Sequence, residues 1–235
     1  GAILYASSGS VSSTWGSWDE GRAMVFHGGA AGPSVTPNWS VTGTQNWGYF
    51  GASVSCAGDV NGDGFDDVVI GASTESNGQG GEGRAYVYHG SGLGLSTTAS
   101  WIGEGNQVAA YYGYSVAAAG DLNADGYDDA IIGALWFDNG QSNEGRAFLY
   151  LGSASGLSAT ANWTGESDQA DACFGTTVAN AGDVNGDGFS DVIVGAPFFD
   201  NGQTDEGRAF VYHGSATGLS TTPAWNAESD QANAS

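Results

Sequence analysis

The sequence predicts an all-β fold in which one four-stranded antiparallel sheet recurs along the chain. An acidic stretch at residues 59–67 returns at residues 121–129 and 183–191, with a step of 62 residues each time. The same step separates four tryptophans: Trp39, Trp101, Trp163 and Trp225. The 41 glycines, eight tryptophans and four prolines suit short strands and tight turns better than helices. The chain therefore holds about four copies of one unit.

Each complete unit is predicted to contain four short strands, as the copy at residues 47–108 shows. Residues 50–57 mix apolar and small side chains and lead, as a first strand, into the acidic loop. Residues 68–72 form a β-branched run bounded by glycine, which is too short for a helix. Side chains alternate over residues 84–90, which predicts a third strand, and Trp101 marks a weaker fourth strand. Consecutive strands joined by local turns make an antiparallel meander.

The period also predicts how the chain is divided. We expect a partial unit at residues 1–46, units at 47–108 and 109–170, and a last unit at 171–235 that ends with a lead into a further strand. The first unit matches the back half of the repeat, and its expanded loop carries Trp15 and Trp18.

The charge of the chain excludes some functions. Its 26 acidic residues face only four basic ones, and the net charge is −22. Such a chain has no basic patch for nucleic acid, and divalent cations are its natural counter-ions. No apolar run approaches membrane-spanning length, so we expect no membrane insertion. The basic residues share one repeat position, where each is predicted to pair with a carboxylate: Arg22, Arg84, Arg146 and Arg208.

Cysteine and histidine give no sign of catalysis. Cys56 and Cys173 occupy different repeat positions and are predicted to be unpaired. His27, His89 and His213 share a position that Leu151 fills in the remaining copy, which indicates a packing role. No unique Ser/His/Asp arrangement appears, so we expect no enzyme and no catalytic residues.

A four-stranded meander cannot bury both faces alone, so the sheets must stack. Radial stacking as blades limits exposed edges better than stacking along a line. The residues also carry a family resemblance: Phe50-Gly51, the acidic loop and Ile70-Gly71-Ala72 resemble the FG-GAP repeat of integrin α-subunit β-propellers and their bacterial relatives. The signature returns at Phe174-Gly175 and at residues 194–197. In the middle copy Tyr112 replaces the phenylalanine, and Ala124 replaces the usual glycine.

The resemblance implies a β-propeller of four-stranded blades, each with a cation loop between its first and second strands, and usually seven blades to the ring. About three and a half blades are expected here. The chain is then a segment of a longer propeller, or copies associate as a homo-oligomer to complete the ring.

Each acidic loop has the pattern of an oxygen-lined cation site. Oxygen-bearing side chains stand at positions 1, 3, 5 and 9, and glycine stands at position 6, where a sharp turn needs positive φ. The predicted ligands, with the backbone carbonyl serving at Phe65, Tyr127 and Phe189, are Asp59, Asn61, Asp63, Phe65 and Asp67; Asp121, Asn123, Asp125, Tyr127 and Asp129; and Asp183, Asn185, Asp187, Phe189 and Asp191.

Three carboxylates with neutral oxygens suit Ca²⁺ better than Mg²⁺, so three Ca²⁺ sites are expected. An EF-hand would need flanking helices and a glutamate at position 12, where this chain has Ile70, Ile132 and Val194. The alternative is an Asx-rich turn without metal, in which the three carboxylates would repel one another. A loop repeated in every unit indicates a structural role for calcium, and modest affinity would suit an extracellular, secreted or surface protein.

These observations predict a calcium-stabilised, non-catalytic binding or adhesion scaffold. The alternatives are a lectin-like carbohydrate-binding propeller and an accessory propeller of a larger hydrolase. The resemblance puts the ligand face opposite the calcium loops, where a protein or glycan would meet the variable loops. Exposed aromatic side chains there would bind a ligand, or they would fill gaps between blades. The residues in question are Trp15, Trp18, Thr74, Glu75, Trp136, Phe137, Phe198 and Phe199, and, in the loops entering each unit, Trp47, Tyr49, Tyr111, Tyr112, Asp168 and Asp171.

Overall fold

A computed structural model describes residues 2–7 and 20–233, and over these residues every regular element is a β-strand. The strands form four antiparallel sheets, which we number as blades 1–4 in chain order. The all-β prediction is therefore confirmed. The expanded loop with Trp15 and Trp18 lies outside the described residues.

The strands follow the predicted meander closely. Blade 1 contains β1 (Ala2–Ser7), β2 (Arg22–Gly29), β3 (Gly32–Pro33) and β4 (Trp39–Thr42). Blade 2 contains β5 (Phe50–Gly58), β6 (Asp67–Ala72), β7 (Arg84–Tyr88) and β8 (Trp101–Glu104). Blade 3 contains β9 (Tyr112–Gly120), β10 (Asp129–Ala134), β11 (Arg146–Tyr150) and β12 (Trp163–Glu166). Blade 4 contains β13 (Thr177–Gly182), β14 (Asp191–Ala196), β15 (Arg208–Tyr212) and β16 (Trp225–Glu228).

Blade 1 differs from the other three. Blades 2–4 have their strands in sequence order across the sheet, whereas in blade 1 both β1 and β4 pair with β2. The two-residue strand β3 folds back on the end of β2, with Gly28 opposite Pro33, and was not predicted. Blade 1 thus has the second, third and fourth strands of the repeat.

The blades stack through their inner strands. β1 contacts β5, β5 contacts β9, and β9 contacts β13. The second strand of each complete blade lies behind this row; β6 and β10 are buried along their whole length. The hydrophobic core is correspondingly shared between blades, since Val69 and Val87 of blade 2 pack in one cluster with Tyr112 and Val116 of blade 3. The blades form an open array and do not close a ring over the described residues.

The recurring tryptophan joins each blade to the next. The Trp39, Trp101 and Trp163 rings each pack edge-on against a tyrosine of the following blade, at centroid distances of 5.2, 4.8 and 4.9 Å. Each indole N–H donates to a serine carbonyl of the same following blade at 2.8–3.0 Å. Trp225, with no following blade among the described residues, is 52% exposed.

The predicted carboxylate pairing of the arginines is confirmed in blades 2, 3 and 4. Arg84 and Arg146 pair with Glu104 and Glu166 at 3.1 Å, and Arg208 pairs with Glu228. Arg22 is exposed, and its Nε donates to the Thr42 hydroxyl at 3.2 Å. Thr42 occupies the repeat position of Glu104, Glu166 and Glu228. The first unit therefore keeps the arginine of the repeat but has threonine in place of the glutamate.

Both cysteine thiols are free, as predicted; Cys56 is exposed and Cys173 is buried. No helix over the described residues has the length and apolar character needed to span a membrane.

Candidate metal centres

The three acidic loops connect the first and second strands of blades 2, 3 and 4. Their first carboxylate is fixed by the loop's own backbone. In blade 2, Asp59 accepts the Asp63 N–H through Oδ1 at 3.0 Å and the Gly64 N–H through Oδ2 at 2.8 Å. Gly64 has φ of +87°, a left-handed conformation in which glycine carries no Cβ penalty. This bonding folds the loop around one side chain.

The network is reproduced in the other two loops. Asp121 accepts the N–H groups of Asp125 and Gly126 at 3.0 and 2.9 Å, and Asp183 accepts those of Asp187 and Gly188 at 3.1 and 2.9 Å. The carboxamide oxygen at position 3 also accepts the position-5 N–H in all three loops, at 2.9–3.1 Å. Three sequence copies therefore give three copies of one geometry.

The position-9 aspartates lie deeper than the rest. Asp67, Asp129 and Asp191 are each 0% exposed. The Asp67 carboxylate accepts the N–H of Val60 at 3.0 Å and the N–H of Gly90 at 2.8 Å, which connects the loop to the segment that follows β7. Burial raises the pKa of Asp129 to about 7 and also raises the pKa of Asp67, because a carboxylate removed from water loses hydration.

The position-3 residue has a neighbour that the sequence did not suggest. The Asn61 side-chain amide lies 3.2 Å from Nδ1 of His89, as well as 3.1 Å from Asp63 Oδ2. His89 was expected only to pack, and its contact with the loop depends on the fold bringing residues 28 positions apart together. Leu151 at the equivalent position in blade 3 shows that the loop forms without this contact.

The donor chemistry of the loops fits a hard cation. All side chains at positions 1, 3, 5 and 9 present oxygen, and each position-1 or position-9 carboxylate oxygen that accepts one N–H keeps a second lone pair. Every ion pair among the described residues lies elsewhere, between an arginine of a third strand and a glutamate outside the acidic loops. Over residues 2–7 and 20–233 no group of three His, Cys, Asp or Glu side chains is arranged to hold a metal ion.

Each acidic loop connects the first and second strands of a blade at one end of the sheet. The variable loops enter the first strand and leave the second, and they therefore lie at the opposite end of these antiparallel strands. Four predicted ligand-face residues are exposed there: Trp47 (55%), Tyr49 (46%), Trp136 (41%) and Phe198 (40%). Asp168 and Asp171 are exposed too. Tyr49 lines a cleft of about 460 Å³ together with Thr74, Tyr111 and Tyr114.

Other predicted ligand-face residues are structural. Tyr112 is 0% exposed, and its hydroxyl donates to the Tyr150 hydroxyl at 2.8 Å. Glu75 is 4% exposed; it accepts from the Tyr86 hydroxyl at 2.7 Å and lies 3.5 Å from Arg84.

Phe137 and Phe199 take the repeat position of Glu75 and pack under arginine instead. The Arg146 guanidinium is 5.0 Å from the Phe137 ring centroid, and the Arg208 guanidinium is 4.4 Å from the Phe199 centroid. The residue at this repeat position thus contacts the arginine of its own blade in all three cases. The contact is an ion pair in blade 2 and a cation–π interaction in blades 3 and 4.

Comparison with known proteins agrees with these features. The FG-GAP repeat family model matches residues 50–88, 112–150 and 174–212. Integrin alpha-5 of Xenopus laevis is 34% identical over 201 residues, covering 82% of this chain and 19% of that protein. Integrin alpha-6 of Gallus gallus is 36% identical over 127 residues, or 52% of this chain and 11% of that protein.

Integrin alpha-7 of Homo sapiens is 38% identical over 125 residues, or 51% of this chain and 10% of that protein. The chain thus spans between about a tenth and a fifth of the length of these relatives. The matched segments each run from the first to the third strand of blades 2, 3 and 4. With three matched repeats on three successive four-stranded blades, this chain belongs to the FG-GAP repeat family of integrin-like β-propellers.

Proposed function

We propose that this chain is a calcium-stabilised, non-catalytic adhesion scaffold that acts outside the cell. The acidic loops carry the proposal, since each has aspartates at positions 1, 5 and 9 and no positive side chain among the described residues forms an ion pair with them. Bound Ca²⁺ would supply the missing positive charge. The chain's own backbone already orients the position-1 carboxylate, so the cost of ordering the loop is met by folding.

In each loop the Ca²⁺ would be held by the predicted oxygen donors of that blade, for example Asp59, Asn61, Asp63, the Phe65 carbonyl and Asp67. The Asp67 carboxylate also accepts a hydrogen bond from the N–H of Gly90, two residues after the end of the third strand. A cation drawing on both ends of the loop would therefore connect the first two strands of a blade to its third. This is a structural role, and it leaves the opposite face free for a ligand.

Calcium stoichiometry tests the proposal. Equilibrium dialysis with ⁴⁵Ca²⁺ is expected to give three sites per chain, and Asp63→Ala, Asp125→Ala and Asp187→Ala are each expected to remove one. Asp66→Ser is the matched control: Asp66 is not a predicted ligand, and its equivalent in the third loop is already Ser190. Failure to bind calcium at millimolar concentration would contradict the proposal.

The ligand face is proposed to bind a protein through the exposed aromatic side chains around the tyrosine-lined cleft. The likeness to integrin alpha subunits supports a protein ligand. The cleft itself also favours a second candidate, a lectin-like function, since Tyr49, Tyr111 and Tyr114 present rings that stack well on sugars. A glycan array separates the two: sugar hits that Tyr111→Ala abolishes would favour the lectin, and an array without hits would favour the protein ligand.

Three-and-a-half blades leave blade faces uncovered, and we propose that further repeats or a second copy complete the ring. Sedimentation in calcium buffer distinguishes these, because only self-association depends on protein concentration.

A further inference from the structure

His89 of blade 2 lies between the acidic loop of its own blade and a turn of blade 3. Its Nδ1 is 3.2 Å from the side-chain nitrogen of Asn61, at position 3 of the loop. A Cβ added to Gly156 of blade 3 would lie 3.1 Å from both Cε1 and Nε2 of the same ring. The imidazole thus has a predicted cation ligand at one nitrogen and the backbone of the next blade beside the other.

The bond between Asn61 and His89 runs in one direction. The Asn61 carboxamide is oriented by its oxygen, which accepts the Asp63 N–H at 3.0 Å. Its nitrogen donates to Asp63 Oδ2 at 3.1 Å, and it also donates to His89 Nδ1, because an amide nitrogen has no acceptor capacity. Both amide hydrogens are then in use, and the oxygen keeps a second lone pair for a cation.

The backbone brings the residue at this repeat position to the acidic loop in each of blades 2, 3 and 4. The N–H of the residue that follows His89, Gly90, donates to the position-9 carboxylate of Asp67 at 2.8 Å. The equivalent bonds, at 2.8 and 2.9 Å, run from Gly152 to Asp129 and from Gly214 to Asp191. The side chain before this glycine is therefore placed beside the loop, and its chemistry decides whether position 3 gains an acceptor.

In blade 3 this side chain is that of Leu151, which has no acceptor. Over the described residues the Asn123 amide donates to Asp125 alone, at 2.9 Å. The position-3 carboxamide of blade 3 thus has one acceptor where that of blade 2 has two.

Blade 4 has a histidine at this position but lacks the contact. Among the described residues the Asn185 amide donates to Asp187 alone, at 2.8 Å, although His213 takes the place of His89. No blade follows blade 4 in the described part of the chain, so no counterpart of Gly156 lies beside His213. The contact is therefore present where the histidine and the turn of the next blade occur together.

We infer that His89 is a positioning residue for the cation site of blade 2, and that the Gly156 turn of blade 3 holds it in place. Accepting the Asn61 N–H restricts rotation of the carboxamide and increases the negative charge on its oxygen, which strengthens that oxygen as a ligand. The cation affinity of residues 59–67 then depends on the packing of blade 2 against blade 3. This inference rests on the proposed calcium role of the loops.

A calcium titration of the ¹⁵N-labelled full chain tests the inference site by site. The N–H groups of Gly64, Gly126 and Gly188 each bond the first aspartate of their own loop, so their signals report the three loops separately. His89→Leu, which introduces the residue that blade 3 has, is expected to weaken calcium binding at the Gly64 signal about tenfold. The affinities at the other two signals should stay within about twofold.

A conservative variant separates positioning from packing. His89→Asn keeps a side-chain acceptor for the Asn61 amide, so it is expected to restore most of the affinity that His89→Leu loses. In chelator, the side-chain amide protons of Asn61 should exchange with water faster in His89→Leu than in the native protein. This second measurement needs no bound metal.

A variant in the next blade tests the role of the turn. Gly156→Ala places a methyl group 3.1 Å from the His89 ring, closer than optimal carbon contacts, and is expected to weaken binding at the Gly64 signal about twofold. Gly218→Ala is the matched control. Gly218 has φ of +98° against +89° for Gly156, and its added Cβ would have no atom within 4 Å.

The possible outcomes distinguish the inference from the proposed function. An unchanged affinity at the Gly64 signal in His89→Leu would overturn the inference, as would equal weakening at all three signals or equal effects of Gly156→Ala and Gly218→Ala. Calcium shifts at Gly126 and Gly188 would still support the calcium role in those cases. Absence of calcium shifts at all three signals of the native protein would overturn both.

Discussion

Gly71 and Gly113 meet across the boundary between blades 2 and 3, where a Cβ added to Gly71 would lie 1.9 Å from the Gly113 carbonyl oxygen. Gly133 and Gly175 repeat the contact across the next boundary, also at 1.9 Å. The first glycine of each pair belongs to the Gly-Ala end of the signature, and the second belongs to the Phe-Gly or Tyr-Gly start of the next copy. Two halves of the family signature are thus joined in space.

Gly71→Ala is therefore expected to destabilise the chain by about 3 kcal/mol, since the added methyl group meets backbone that cannot move without separating the blades. Gly195→Ala is the matched control. It makes the same change in the same motif of blade 4, where the nearest atom to the new Cβ is 3.6 Å away. Urea denaturation followed by circular dichroism measures both, and equal losses of stability would contradict the blade-contact explanation.

Trp101→Phe is expected to cost about 1–2 kcal/mol, because it removes the N–H bond to the Ser158 carbonyl and part of the edge contact with Tyr150. Trp225→Phe makes the same change on a ring that is 52% exposed and should cost far less. Thermal unfolding of the two variants side by side gives the comparison. A larger effect at Trp225 would show that the tryptophan acts within its own blade.

Thr42→Glu is expected to stabilise blade 1 by about 0.5 kcal/mol, since it restores beside Arg22 the carboxylate that Arg84, Arg146 and Arg208 already have. The gain should shrink in high salt, because the pair is exposed. Thr42→Gln, of similar shape without the charge, is the control. Melting temperatures at low and high sodium chloride supply the measurement, and a salt-independent gain would argue against ion pairing.

The stability of the chain should depend on pH through Glu104. Its pKa is lowered, first by the hydrogen bond from the Asn77 amide and then by Arg84. Because the folded-state pKa lies below the unfolded one, Glu104 contributes stability above the unfolded pKa and loses it as pH falls through the folded pKa. Glu104→Gln should therefore have a lower free energy of unfolding than the native protein at pH 6. This difference between the two proteins should shrink as the pH is lowered from 6 to 3. A gap that stays constant over this range would rule out the carboxylate as its source.

Much of the fold follows from the sequence because the repeat samples each structural position several times. The first three strands of blade 2 were predicted within one or two residues, and the tryptophan step located the fourth. The burial of Val60 and Leu122 beside the next blade was not predicted. An aliphatic residue recurs at this loop position, with Val184 in the third copy, but only the fold shows which blade covers it.

The candidate sites were predictable to different degrees. The acidic loops are contiguous, so their backbone network follows from local Asx chemistry, and the structure reproduces it in all three copies. The ligand face is assembled from loops far apart in sequence, and exposure there depends on the neighbouring blade. Tyr111 lines the cleft while Tyr112 is buried, although the two residues are adjacent.

The bond from each tryptophan to the next blade's serine carbonyl uses the same atoms at every boundary. A duplicated unit would consequently bring both the donor and the acceptor of this bond, and removal of a unit would leave a tryptophan facing a serine carbonyl at the new boundary. Gain or loss of a whole unit therefore preserves this hydrogen bond in arrays of different length.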